Sequence, residues 1–259
     1  MDLETLLIVA LGCGSLYSLW FYGRAFGEYA KGRNCNVEVA EYSLTDAALA
    51  AILSCWFLLM TYAGFQHHNE VTLQDVITGD AIYGSIVLFL FGFLLLQNKD
   101  VLKLYGLGNF NFLKNLECLL ALLPILYFLQ EVASRYLSKD QPPQSLVSFI
   151  LQHHDPAIIS VVLISICVIA PITEELLFRG FLYGVLSRYF GRLAAMLVSS
   201  LLFAAMHAHL PSFPALFIMG IFLTLAYERT GSLWTSIFMH SCFNALSFSL
   251  ILWFPALQR

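Results

Sequence analysis

The fold is decided by residues 156–188, PAIISVVLISICVIAPITEELLFRGFLYGVLSR, an apolar run that carries Glu174, Glu175 and Arg179 in its middle. A helix needs about 20 mostly apolar residues to span a bilayer, so this run is long enough for a spanning helix and too long for one straight crossing. Each ionised side chain at mid-bilayer costs roughly 2.5–3.5 kcal/mol on insertion scales. Three such residues in one span therefore need partners or a function.

The composition of the whole chain is that of a multi-span membrane protein. Of 259 residues, 59% are hydrophobic and 12% are charged, well below the roughly 25% charged fraction of ordinary soluble domains. The 17 acidic residues outnumber the 13 basic ones, so the chain lacks the basic surface of a nucleic-acid-binding protein. This composition excludes a soluble enzyme and a disordered chain, and it predicts membrane lipids as partners and no nucleic acid.

Hydropathy predicts an all-α membrane protein with about eight transmembrane helices. The other seven candidate spans are residues 6–22, 44–65, 81–97, 116–136, 193–209, 213–227 and 233–254. With eight spans, nine Lys and Arg residues fall in the odd-numbered loops and three in the even-numbered loops and the tail. The positive-inside rule then places the odd loops in the cytoplasm and both termini on the same, outer side.

The three charged residues of the fifth span divide into a pair and a single carboxylate. Glu175 and Arg179 are spaced i, i+4 with the glutamate nearer the N-terminus, which is the favourable order for an ion pair on one helix face. Glu174 points about 100° away from that face and has no partner in its own helix. We interpret the pair as a buried structural contact and Glu174 as a candidate functional residue.

Three further polar residues are predicted to lie at a similar depth. At 1.5 Å per residue, Glu174 lies about 21 Å from the cytoplasmic end of its helix, His207 about 22 Å, and His240 and Asn244 about 14 and 20 Å. His240 and Asn244 share a helix face because they are also spaced i, i+4. A single histidine in an apolar helix can be a hydrogen-bonded core residue, but four polar residues on three helices predict one polar site inside the membrane.

Such a site has the groups needed to hydrolyse a peptide bond. A carboxylate can act as general base on a water molecule, and an asparagine side chain can donate to the developing oxyanion. The chain contains neither a serine nucleophile elbow nor an H-E-x-x-H motif. Ser241 directly follows His240 and would point off its face, so covalent serine catalysis is disfavoured.

Three short motifs occur in order in the C-terminal part of the chain. E-E-x-x-x-R lies at 174–179, F-x-x-x-H at 203–207 and H-x-x-x-N at 240–244. Together they resemble the CAAX protease and bacteriocin-processing family of intramembrane endopeptidases, whose best-known members are type II CAAX prenyl endopeptidases. The resemblance covers about residues 160–250. We therefore divide the chain into N-terminal transmembrane helices of no recognised family, residues 1–150, and a protease core, residues 151–259.

The resemblance implies a role for each residue of the site. Glu174 would be the general base that, with His207, holds and activates the water, while His240 and Asn244 would form the oxyanion site. The supporting residues would be Glu175, Arg179 and Phe203. This glutamate mechanism needs no cofactor. In the alternative, a metalloprotease, a zinc ion would be bound by Glu174, His207 and His240.

The predicted function is an intramembrane endopeptidase that acts on membrane-associated or lipidated proteins or peptides. CAAX-type processing of a prenylated substrate requires a host that prenylates proteins. The protein would lie in the plasma membrane of a prokaryote or the endoplasmic reticulum of a eukaryote. One alternative is a non-catalytic membrane scaffold or bacteriocin-immunity protein. Another is a proton-coupled transporter with Glu174 and the histidines as a relay, although no repeat symmetry typical of transporters is visible.

Overall fold

A computed structural model describes residues 3–37, 41–66, 71–137 and 145–253. These parts of the chain form helices and contain no strand. The helices are α1 (Leu3–Ala30), α2 (Leu44–Gln66), α3 (Leu73–Leu96), α4 (Val101–Leu104), α5 (Phe112–Leu137), α6 (Ser145–Gln152), α7 (Pro156–Phe190), α8 (Arg192–Met206), α9 (Phe213–Thr230) and α10 (Leu233–Trp253). The predicted all-α class is confirmed.

The predicted spans all correspond to helices. Six helices of the described residues are long and apolar enough to cross a membrane, namely α2, α3, α5, α7, α9 and α10. Helix α8 is a shorter apolar helix of 15 residues, and α1 has 28 residues. The protein is thus an integral membrane protein of helices. The number of crossings and the side of the termini stay predictions, and residues 1–2 and 254–259 lie outside the described residues.

Helix α7 holds the charged residues and is the longest helix of the described chain. Its 35 residues are continuous, and they include two π-helical segments, Ser165–Ile169 and Leu176–Leu182. Pro171 follows the first segment and has no N–H to donate, so the regular α-helical hydrogen bonds cannot continue through it. The second segment begins directly after Glu175. Because π turns inside α-helices are frequent at functional sites, this position agrees with a site in the middle of α7.

The middle of α7 is also the centre of the hydrophobic core. Leu177, Phe178, Phe181 and Leu182 have no exposed surface. The Phe178 ring contacts Phe57 of α2 and, edge to face at 5.6 Å between centroids, Phe203 of α8. Helices α3, α8 and α10 pack around this part of α7. The charged residues of α7 are therefore held by packing on several sides.

Hydrogen bonds gather the odd-numbered loops at one end of the bundle. Arg192, at the start of α8, donates from Nη2 to the carbonyl oxygen of Val37 at 2.8 Å. The N–H of Leu233, at the start of α10, donates to the carbonyl oxygen of Tyr105 at 3.0 Å. The N–H of Asn36 donates to the carbonyl oxygen of Glu228 at 2.9 Å, which joins these two pairs of connections. The first, third, fifth and seventh connections thus share one end, as an alternating up-and-down path requires. The positive-inside rule assigns this end to the cytoplasm.

At the same end, the connection between α4 and α5 lies directly against the turn between α9 and α10. Gly106 has a φ of +62°, and a Cβ atom there would lie 1.9 Å from the carbonyl oxygen of Gly231. Trp234 donates from Nε1 to the carbonyl oxygen of Leu107 at 2.8 Å. Only glycine allows this backbone approach, because any side chain would meet the opposing carbonyl and the left-handed φ adds strain.

Candidate active site

Glu175 and Arg179 form a fully buried ion pair. Arg179 Nη1 donates to Glu175 Oε1 at 2.9 Å, and neither side chain has exposed surface. The guanidinium carbon also lies 4.3 Å from the centroid of the Phe203 ring, a cation–π distance. The i, i+4 spacing therefore produces the predicted contact, and Phe203 supports it from the neighbouring helix α8.

Part of this ion pair has no partner within the protein. Arg179 Nε and Nη2 and Glu175 Oε2 are buried and have no hydrogen-bond partner among the described residues. Buried polar atoms are nearly always satisfied, and ordered water commonly does this in protein interiors. We call the level of the bundle around Glu174, Glu175 and Arg179 the Glu174 layer. Its side chains have more hydrogen-bonding atoms than the neighbouring side chains can satisfy.

His240 connects this ion pair to Glu174. Its Nδ1 lies 2.9 Å from Glu175 Oε1, and its Nε2 lies 3.9 Å from Glu174 Oε2. The first distance is a hydrogen bond and the second is too long for one. The two atoms are close enough for one water molecule, about 2.8 Å from each, to hydrogen-bond to both. The histidine is 3% exposed and Glu174 is 9% exposed, so this gap lies inside the helix bundle.

His207 and His240 flank the ring of Phe203. The ring centroid of Phe203 lies 5.1 Å from that of His207 and 5.6 Å from that of His240, both in edge-to-face geometry. His207 follows the last residue of α8, and its Nδ1 lies 2.9 Å from the carbonyl oxygen of Phe203. A carbonyl only accepts, so Nδ1 carries the hydrogen and Nε2 is the ring nitrogen left for another partner.

Asn244 binds the backbone of α7 at the first π-helical segment. Its Nδ2 donates to the carbonyl oxygen of Ile166 at 2.9 Å. Ile166 precedes Glu174 by eight residues, about 12 Å along a helix. The structure therefore brings together Glu174 and His240 but holds the Asn244 amide at Ile166, on the N-terminal side of Glu174 along α7. An oxyanion role for Asn244 would use its second amide hydrogen or require release of Ile166.

The alternative zinc ligands do not form a cluster in this conformation. Within the described residues, no group of three or more His, Cys, Asp or Glu side chains is arranged to hold a metal ion. Of the alternative ligands, His240 directs Nδ1 to Glu175, and His207 directs Nδ1 to its own helix.

The sequence reasoning missed two carboxylates that bind neighbouring helices, the half-buried Asp80 and the buried Glu228. Asp80 of α3 accepts a hydrogen bond from Ser165 Oγ at 2.9 Å, at the start of the first π-helical segment. It lies inside α3 although the predicted span began one residue later. The signal for the earlier start was the capping box of Thr72 and Asp75, which the structure contains. Asp80 thereby fixes an N-terminal helix to the helix that carries Glu174.

The second missed carboxylate is Glu228, near the end of α9. It is 1% exposed and accepts from Tyr183 and, at 2.5 Å, from Arg192 Nη1. Tyr183 lies on α7 and also hydrogen-bonds Tyr29 of α1 at 3.1 Å. The sequence reasoning assigned Arg192 only to a loop. This cluster joins α1, α7, α8 and α9 at the loop end of the bundle and lies away from the Glu174 layer.

The chain was compared with protein families and with known proteins. The family model described as type II CAAX prenyl endopeptidase Rce1-like matches residues 156–246, which include all three motifs. A Bacillus subtilis protein named "Putative membrane peptidase YdiL" is 24% identical over 220 residues, which cover 73% of this chain and 85% of that protein. An Escherichia coli protein named "Uncharacterized 24.3 kDa protein" is 36% identical over 83 residues, 30% of this chain and 38% of that protein. No solved structure matches. The match over residues 156–246 and the membrane peptidase relative agree with the resemblance of the three motifs to the family of CAAX proteases and bacteriocin-processing membrane peptidases.

Proposed function

We propose that this chain is an intramembrane endopeptidase in which Glu174 activates a water molecule for attack on a peptide bond. The observation that carries the proposal is the gap of 3.9 Å between Glu174 Oε2 and His240 Nε2 inside the helix bundle. A carboxylate and an imidazole on either side of one water position are the groups that general-base hydrolysis needs. The family match and the membrane peptidase relative support the same reaction class.

In the proposed reaction, Glu174 removes a proton from the water as the water oxygen attacks the carbonyl carbon of the substrate. The tetrahedral intermediate then has a negative oxygen, which needs a hydrogen-bond donor. Glu174 returns the proton to the nitrogen of the leaving peptide as the C–N bond breaks. The carboxylate therefore ends each cycle ionised, and no covalent bond to the protein forms.

The other residues of the layer would prepare this reaction. The Nδ1–H of His240 donates to Glu175, which fixes the orientation of the ring. The Nε2 of His240 then lies on the side of Glu174, where the water and the oxyanion would be held. The unused Nε2 of His207 and the second amide hydrogen of Asn244 are the further groups for binding water and oxyanion. Arg179 would act on Glu175 and not on the substrate.

The proposed substrates are proteins or peptides within or attached to the membrane. The exposed surface of the described helices is rich in large apolar side chains, so a substrate reaches the bundle through lipid. A prenylated C-terminal segment would suit this route if the host prenylates proteins. In a bacterium, a peptide or membrane-protein precursor is the corresponding substrate in the plasma membrane, and in a eukaryote the enzyme would lie in the endoplasmic reticulum.

The test of this function is a comparison of membrane peptides from cells that express the wild-type protein, Glu174→Ala or Glu41→Ala. Glu41 is exposed and lies outside the helices, so its variant is the matched control. We expect new peptide termini in cells with the wild type and Glu41→Ala but not with Glu174→Ala. Termini that persist in Glu174→Ala would contradict the proposal, as would a phenotype without any cleavage, which would indicate a scaffold or immunity protein.

The metal-free part of the proposal has its own test on the purified protein. We expect cleavage to continue after exhaustive chelation, with no stoichiometric metal by elemental analysis. Two results together would establish the metalloprotease alternative instead. The wild type would bind one equivalent of zinc that His207→Ala does not bind, and chelation would stop cleavage reversibly. Proton flux without cleavage would favour the transporter.

A further inference from the structure

A groove of about 780 Å³ lies between α1, α5 and α9 at the loop end of the bundle, away from the Glu174 layer. We call it the α1–α5 groove and define it by Tyr17, Trp20, Phe21, Arg24, Lys114 and Arg229, which are among its lining residues. None of the proposed catalytic residues lines it. It is therefore a second candidate binding site.

Three basic and three acidic side chains line the groove, and two of the basic ones have no acidic partner among the described residues. The carboxylate of Glu228 is bound by Arg192, and Glu117 lies 3.2 Å from Arg229. Glu28 is 3.9 Å from Arg33. Among the described residues, Arg24 and Lys114 have no carboxylate within ion-pair distance. The groove thus presents two cationic side chains that are free to bind an anion.

The groove also has an aromatic wall. The guanidinium carbon of Arg24 lies 5.2 Å from the Trp20 ring, and that of Arg229 lies 4.7 Å from the Phe21 ring. Tyr17 lies seven residues before Arg24, about 10 Å deeper along α1. The groove is therefore charged at the helix ends and aromatic towards the membrane interior, the pattern of side chains at a membrane–water interface.

The aromatic wall opens sideways to the surroundings of the bundle. Tyr17 is 45% exposed and Trp20 is 56% exposed, and Leu16 beside them is 68% exposed. In a membrane this surface of α1 contacts acyl chains. A ligand that fills the groove would thus place an anionic group at the cationic end and an apolar chain along α1.

We propose that the α1–α5 groove binds an anionic phospholipid, with its phosphate between Arg24 and Lys114 and an acyl chain along Tyr17 and Trp20. A phosphate diester suits these two cations because guanidinium and ammonium groups both donate charge-assisted hydrogen bonds to its oxygens. Anionic lipids are enriched in the cytoplasmic leaflet, which is the side that the positive-inside rule assigns to this end. The proposal does not depend on proteolysis.

The experiment is a lipid titration of the purified full chain in detergent, followed by native mass spectrometry. The lipids are phosphatidylglycerol and phosphatidylcholine with the same acyl chains, and inorganic phosphate is added in a separate arm. We compare the wild type with Arg24→Gln/Lys114→Gln. The matched control is Lys31→Gln/Lys103→Gln, which removes two exposed cations of the same end that do not line the groove.

We expect saturable binding of phosphatidylglycerol over phosphatidylcholine in the wild type and in the control. The groove variant should bind phosphatidylglycerol about 30-fold more weakly, since each cation near a membrane surface contributes roughly a factor of five to anionic lipid binding. Equal melting temperatures without lipid would show that both double variants are folded. A second variant, Ala25→Phe, fills the groove without changing charge and should also weaken binding.

Three outcomes would overturn the proposal. The first is equal binding of the two lipids by the wild type. The second is undiminished binding by the groove variant. The third is full competition by inorganic phosphate, which would assign the cations to a free anion and not to a lipid.

Discussion

Replacing Arg179 by alanine should destabilise the protein much more than replacing Arg188 by alanine. Both arginines lie on α7, but Arg179 is fully buried and Arg188 is exposed. The Arg179 change removes the ion pair to Glu175 at 2.9 Å and the stacking on Phe203 at 4.3 Å. It leaves the Glu175 carboxylate buried with His240 as its remaining partner, and removing one partner of such a pair costs about 3–5 kcal/mol.

The assay is thermal unfolding of the purified variants in one detergent. For a chain of this length, 1 kcal/mol corresponds to about 2–4 °C in melting temperature, so the expected difference between the two variants is about 6–20 °C. Equal melting temperatures would show that the buried ion pair of Arg179 stabilises the protein no more than the exposed Arg188 does. A stable but inactive Arg179→Ala protein would give the arginine a direct catalytic role.

A double variant separates the buried charge from the packing. Glu175→Gln/Arg179→Met removes both charges and keeps similar volumes. We expect it to be less destabilised than the sum of the two single changes, because neither residue then leaves an unpaired charge. If the double variant instead loses as much stability as the two single variants together, the ion pair contributes through packing alone.

Three further predictions concern other parts of the molecule. Asn244→Ala should lower the rate of peptide cleavage by about 10²–10³-fold if its amide donates to the oxyanion, and unchanged cleavage would restrict Asn244 to holding Ile166. Gly106→Ala should prevent correct packing of the loop end, whereas Gly108→Ala, which has open space, should be tolerated in the same expression and melting assay. Cys35 should react with an impermeant maleimide that is added from the cytoplasmic side. Burial raises the pKa of its thiol, so the reactive thiolate is still a minor species at pH 7 and the reaction should be faster at pH 8. Labelling from outside alone would reverse the predicted orientation.

The helices could be predicted because their signals are local. A run of about 20 apolar residues predicts a spanning helix without knowledge of its neighbours. The boundaries were less accurate for a physical reason: α1 continues to Ala30, well past the predicted end at residue 22. Arg24 and Glu28 lower the hydropathy there without interrupting the helix. Hydropathy predicts where the apolar part of α1 ends, but the helix continues beyond that point to Ala30.

The ion pair could also be predicted, since Glu175 and Arg179 lie on one helix one turn apart. The hydrogen-bond partner of His240 could not be predicted from the sequence. Whether His240 meets Glu174 or Glu175 depends on how α10 is rotated against α7, and tertiary packing sets that rotation. The π-helical segments add to the difficulty, because their i→i+5 hydrogen bonds change the rotation per residue that the prediction assumed. The second segment lies between Glu174 and Arg188, so it also changes the depth that was estimated for Glu174.

The contacts of Asp80 and Glu228 could not be predicted for a different reason. Each is a single acidic residue near the end of an apolar run, a position typical of an interfacial charge. Their partners, Ser165 and Arg192, are 85 and 36 residues away in the sequence, so no local pattern connects them. Only the packed helices show that both carboxylates are structural contacts of the described bundle.

The cleavage rate of Glu174→Gln measures whether Glu174 is the base that activates the water. Glutamine keeps the size of the side chain and removes the proton acceptor. We expect a rate lower by about 10²–10⁴-fold than that of the wild type and of Glu41→Gln, with unchanged melting temperature and substrate binding. A Glu174→Gln protein that cleaves within about tenfold of the wild-type rate would contradict this role of Glu174, because the lost carboxylate would then have contributed less than general-base catalysis requires.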